Sequence, residues 1–91
     1  MKLLLVEDDG PLRLLIARTL RDHGFEVVGV GSGAEMQAIF EEDAFQLVIL
    51  DIMLPGTSGL DITRWLRARS TVPIIIASAR GQETDRIVGL E

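Results

Sequence analysis

Four short apolar runs, separated by longer segments of helical period, constrain this chain more than any other feature of it. The runs are residues 2–7 (KLLLVE), 25–30 (FEVVGV), 46–51 (QLVILD) and 73–77 (PIIIA). Strand-length apolar runs alternating with helical segments are the pattern of βαβ units around a parallel sheet. The first, third and fourth runs are almost continuously apolar, as expected of strands covered on both faces. The second is broken by Glu26 and Gly29 and reads as an edge strand.

The intervening segments carry helix signals. Residues 11–23 place Leu12, Leu15, Ile16, Thr19 and Leu20 at helical spacing, with Pro11 suited to the first turn and Gly24 to the C-terminal stop. Ser32-Gly-Ala-Glu35 reads as a capping box that opens a second helix running to about residue 42. Ser58 followed by Asp61 opens a third, which turns Ile62, Trp65 and Leu66 inward. A fourth begins near Gln82 and is still running at Glu91. Neither a linker nor a repeat interrupts this series, so residues 1–91 read as one domain.

Composition narrows the function. No apolar run approaches the roughly 20 residues that span a bilayer, and the N-terminus lacks a signal-peptide pattern, so the cytoplasm is the expected location. There is no cysteine and a single histidine, His23, which removes disulfides, thiolate chemistry and most nitrogen- or sulfur-bound metals. Any metal should therefore be hard and oxygen-bound. A net charge of -5 without a Lys/Arg cluster argues against direct nucleic-acid contact.

In an open parallel sheet, ligands bind beyond the carboxyl ends of the strands, where the strand order reverses. Here the first run ends in Glu7-Asp8-Asp9, the third in Asp51, and the fourth is followed by Ser78. Carboxylates on neighbouring strands, about 4.8 Å apart, repel, so either one takes up a proton or a cation sits between them. Among hard cations Mg²⁺ suits an incomplete cage, because it keeps several waters and shares its shell with phosphate. A carboxylate beside such an ion can attack a phosphoryl group. Asp51 is the best placed, at the end of the most apolar run and before the "IMLPG" turn. The first βα turn is acidic instead of G-x-G-x-x-G, against a dinucleotide or P-loop reading. Gly29, Gly31 and Gly33 follow the second run but match that spacing poorly and read as an ordinary turn.

Three stretches together, "LLLVEDD", "LVILDIMLPGTSGLDI" and "VPIIIASARG", in this order and spacing, resemble the receiver domain of two-component response regulators, most closely receivers attached to winged-helix DNA-binding domains. The resemblance runs through the whole chain. It implies a flavodoxin-like, doubly wound α/β fold, truncated to about four strands and four helices, without the fifth strand and fifth helix. It implies Asp51 as phosphoacceptor, Asp8 and Asp51 as direct Mg²⁺ ligands with the Met53 backbone carbonyl, Glu7 acting through water, and Ser78 as the switch hydroxyl. Asp9 falls outside the acidic pair and reads as serving the start of the first helix. The implied partners are a sensor histidine kinase and, through an output domain outside this stretch, DNA. The implied role is a signalling module, not an enzyme.

The family's next strand would bring a lysine and cover the edge of the fourth run. Ending at Glu91, the chain is expected to expose that edge, and so to be destabilised or to swap or dimerise through the fourth strand; the resemblance separately implies dimer contacts at helix four, near Arg80 and Arg86. An aspartyl-phosphate phosphohydrolase would want a second acid two residues after Asp51, where Met53 stands. A receiver-like docking module without phosphorylation would be expected to lack the acids or the phosphoacceptor, and here both are present. His23, in the last turn of helix one, is assigned no role. Trp65 reads as core, and Arg64, Arg67 and Arg69 as a solvated face.

Overall fold

A computed structural model describes residues 1–51 and 59–77, with Asp51 and Ala77 described by their backbone. The elements are β1 (Lys2–Val6), α1 (Gly10–Asp22), β2 (Glu26–Val30), α2 (Gly33–Phe40), β3 (Leu47–Asp51), α3 (Gly59–Arg67) and β4 (Ile74–Ala77). Every strand pairing is parallel and the sheet order is β2-β1-β3-β4. Glu26-bearing β2 is thus an edge, as its composition implied. The chain passes from β1 to β2 on one side, then returns across β1 to build β3 and β4 on the other. The reversal of winding direction falls between β1 and β3.

Strand alternation divides the core in two. Leu4 and Val6 of β1, Val48 and Leu50 of β3, and Ile74 and Ile76 of β4 pack with Met36 and Phe40 of α2 and Ile62 and Leu66 of α3. On the opposite face, Leu3 and Leu5 pack with Ala17 of α1 and Val27 of β2. Helix α1 covers β1 and β2 there, and among the described residues no other helix shares that face. Leu47, Ile49 and Ile75 on this face are accordingly only half-buried. Among the described residues, two-sided covering therefore holds in full for β1 and on one face for β3 and β4.

Helix α1 is delimited as its sequence predicts. Asp9 is the N-cap, its side chain accepting from the Leu12 N–H, and Pro11 sits in the first turn where its missing donor costs nothing. At the other end Gly24 has φ +94°, its N–H donates to the Arg21 carbonyl at 2.9 Å and the Phe25 N–H donates to the Leu20 carbonyl at 3.2 Å. This is a Schellman closure, and Phe25 and Leu20 both pack against the α1-side core. A Cβ on Gly24 would meet nothing within 4 Å, so backbone conformation alone opposes substitution. Gly24→Ala should lower stability by about 1–2 kcal/mol in urea denaturation, with unchanged m-value.

Helix α2 opens on Ser32, whose hydroxyl accepts from the Glu35 N–H at 3.1 Å. The reciprocal half of the expected box differs, because Glu35 reaches past Ser32 to accept from the Gly31 N–H at 2.6 Å. Trp65 is half-buried rather than enclosed. It meets Phe40 edge-to-face at 6.0 Å, and the Arg69 guanidinium stacks 3.9 Å from its ring centroid while pairing with Glu41 at 3.2 Å. Arg69 therefore leaves the solvated face to cover the indole, whereas Arg64 stays exposed beside Asp61. His23 is exposed, as assigned, with Nδ1 2.9 Å from the Thr19 carbonyl.

Candidate functional site

The reversal of strand order sets the carboxyl ends of β1 and β3 side by side. Val6 is level with Leu50 and Asp51 with Ala77, so one step beyond the β1 ladder Glu7 comes level with Asp51. Strand spacing separates their backbones by about 4.8 Å. Ser78 directly follows the residue paired with Asp51.

The three acids after β1 have separate environments. Glu7 is buried, at 5% exposure. Its N–H continues the ladder to the Val30 carbonyl at 3.0 Å, its carbonyl accepts from Arg13 Nη1 at 2.7 Å, and its carboxylate accepts from the Asp9 N–H at 3.1 Å. A buried carboxylate is tolerable only with such donors or a cation. Asp9 is committed to α1: Oδ1 caps the Leu12 N–H at 3.0 Å and its carbonyl accepts from the Arg13 N–H at 2.8 Å. Asp8, between them, is exposed, and among the described residues its carboxylate accepts no hydrogen bond and forms no ion pair. The expectation that Asp9 serves the start of the first helix is borne out by the cap.

Negative charge here is favoured by the α1 N-terminus but not neutralised by it, since the helix dipole amounts to about half a charge. Among the described residues no lysine or arginine pairs with Asp8 or Asp9. A cluster of three acidic side chains converging as a metal cage is likewise absent among them. With Asp9 committed to the cap, Glu7 and Asp8 would supply at most part of a metal's shell. An all-oxygen donor set, a buried carboxylate and an unpartnered one beside it fit a hard divalent cation with a partial protein shell. The Asp51 carboxylate, Met53, Ser78, Ser58 and the fourth helix with Arg80 and Arg86 lie outside the described features.

Arg13 is the site residue that sequence reading passed over. Its stem crosses from α1 over β2, where an added Cβ on Gly29 would stand 3.2 Å from its Cγ and Cδ and one on Gly31 would stand 3.3 Å from its Nη1. The glycines expected to form a plain turn thus clear a path for this side chain, and Gly29 lies within β2 itself. An arginine on α1 together with glycines in and after β2 was the available signal.

Residues 3–91 match the family model of the response regulator receiver domain. The chain belongs to the response regulator receiver family. Such receivers are the phosphorelay modules of two-component systems, and no helix among the described residues of this one is long and apolar enough to cross a membrane. The receiver is 49% identical to the sensory transduction protein RegX3 of Mycolicibacterium smegmatis over 88 residues, 97% of this chain and 39% of that protein. It thus spans about two fifths of the length of that relative. Among solved structures, it is similar to the response regulator TrrA of Thermotoga maritima in complex with Mg²⁺-BeF, with TM-score 0.81 and 33% identity over 86% of this chain and 69% of that one. It is also similar to a complex of histidine kinase ThkA with TrrA, at TM-score 0.83 and 30% identity over 93% of this chain and 74% of that one.

Proposed function

We propose that this receiver accepts a phosphoryl group on Asp51 from a sensor histidine kinase in a Mg²⁺-dependent reaction in the cytoplasm, and that the phosphorylated state governs transcription through a DNA-binding output domain. The observation that carries this reading is the parallel register that sets Asp51 level with Glu7, next to an exposed Asp8 whose carboxylate has no partner among the described residues. TrrA bound to Mg²⁺-BeF and TrrA bound to ThkA support the metal and the kinase. Similarity to the sensory transduction protein RegX3 supports the signalling role, and the output is what the resemblance to receivers attached to winged-helix domains implies.

Asp8 and Asp51, with the Met53 carbonyl, would hold the ion, and Glu7 would act through water. When bound there, Mg²⁺ offsets the negative charge of both the carboxylate and the incoming phosphoryl group. An Asp51 carboxylate oxygen attacks phosphorus as the bond to the kinase phosphohistidine nitrogen breaks; the ring, carrying a proton from solvent on its other nitrogen, leaves as neutral imidazole, and an aspartyl phosphate remains. The Ser78 hydroxyl then donates to a phosphoryl oxygen, and that contact biases the surface beyond β4 between two states. A signalling role follows from one modification per receiver, without turnover of a free substrate.

The test is intact-protein mass spectrometry after incubation with a small-molecule phosphodonor and Mg²⁺. The expected result is a gain of one phosphate that disappears with chelator and in Asp51→Asn. A gain that survives Asp51→Asn, or one indifferent to chelator, overturns the assignment.

A further inference from the structure

We propose that Arg13 is a positioning residue for the acidic loop: its guanidinium holds the Glu7–Asp8 peptide plane so that the Asp8 carboxylate is presented to the cation. The inference rests on the Mg²⁺ site just proposed.

The β1 ladder ends at Val6, and Glu7 makes one more bond, from its N–H to Val30. The Glu7 carbonyl lies beyond the last rung, and Arg13 Nη1 takes it at 2.7 Å. Because the peptide unit is planar, fixing the Glu7 C=O also fixes the Asp8 N and Cα, so only rotation about the Asp8 backbone bonds remains to be limited by the hold on Asp9. On the far side, the Asp9 N–H is bound by the Glu7 carboxylate and the Asp9 carbonyl by the Arg13 N–H. Arg13 therefore grips the loop twice, by side chain before Asp8 and by backbone after it. Among the described residues the Asp8 side chain makes no hydrogen bond of its own.

The path of the Arg13 stem is equally specific. At Gly29 a Cβ would lie 3.2 Å from both Cγ and Cδ, tighter than ordinary contact, and at Gly31 it would crowd Nη1 at 3.3 Å. Any larger residue at position 29 forces the stem to move. The guanidinium also brings a positive charge to an anionic loop without pairing directly with Asp8 or Asp9, so it eases their mutual repulsion and leaves the Asp8 oxygens available. Supporting groups of this kind typically tune metal affinity about 10- to 100-fold.

Arg13→Met keeps the unbranched stem and deletes the donor. In the intact protein, calorimetric titration with Mg²⁺ should give a Kd raised about 10-fold or more. Phosphorylation by a small-molecule donor should slow at low Mg²⁺ and recover at saturating Mg²⁺, a split that lost fold stability would not produce. Arg13→Lys, which retains a donor, should restore part of the affinity. Gly29→Ala leaves the arginine in place but displaces its stem, and should shift Kd in the same direction by less. Wild-type affinity in a folded Arg13→Met overturns the role, as does wild-type affinity in Gly29→Ala should Arg13→Met fail to fold. Wild-type protein that takes no Mg²⁺ overturns the site reading and the role together, whereas normal wild-type binding alongside unchanged variants overturns the role alone.

Discussion

Leu4→Ala and Leu5→Ala, adjacent substitutions in β1, should each destabilise the domain by about 2–5 kcal/mol in chemical denaturation. Adjacent strand residues point to opposite faces, so in a sheet covered on one side only one of the pair would matter. Here Leu4 has 0% exposure within the α2/α3 side and Leu5 has 1% within the α1 side. Both truncations leave a cavity in close-packed surroundings, and the loss is a large fraction of the roughly 5–15 kcal/mol that holds a domain of this size. Leu15→Ala on α1, at 58% exposure, supplies the control and should change stability by less than about 0.5 kcal/mol. A mild effect at Leu5 would mean that α1 does not seal its face of the sheet.

That doubly covered centre is also why so much of the fold was legible. A run such as "LLLV" has no polar residue to turn toward water, and only a strand with cover on both sides suits it. Each strand accordingly lies within one residue of its expected bounds, and β2, with Glu26 and Gly29, takes the edge. Pro11 and Gly24 marked α1 because each acts through its own backbone, Pro11 by a donor it lacks and Gly24 by a φ of +94°. Local backbone chemistry of this kind is written in the residue itself.

What the sequence did not disclose was where long side chains go. Glu35 and Arg69 each have several rotatable bonds, and their destinations depend on groups that only the fold brings near. Glu35 passes over Ser32 to the Gly31 N–H, and Arg69 finds both the Trp65 ring one turn earlier and Glu41 at the C-terminal end of α2. Cation–π stacking at 3.9 Å offsets the cost of leaving part of the indole uncovered by apolar neighbours. Arg13 belongs with these. Its sequence position shows an arginine early in an amphipathic helix, and its target is a backbone carbonyl that no residue type announces.

The acids were legible as a group, and their division of labour yields the second large effect. Asp8→Asn should lower Mg²⁺ affinity by at least about 10-fold, since even supporting groups are worth that much, while the cation-free fold keeps its stability because a repelling charge has gone. Asp9→Ala should do the reverse: it removes the cap on the Leu12 N–H, costs about 1 kcal/mol of stability and leaves most of the Mg²⁺ affinity in place. Asp9→Asn separates charge from cap, because asparagine caps as well as aspartate does, so stability should return to wild type. Titration calorimetry and urea denaturation on the three variants measure the two properties independently. If Asp9→Asn lost as much affinity as Asp8→Asn, the ligand would be Asp9, and its hydrogen bond to Leu12 would have to open before the ion could bind.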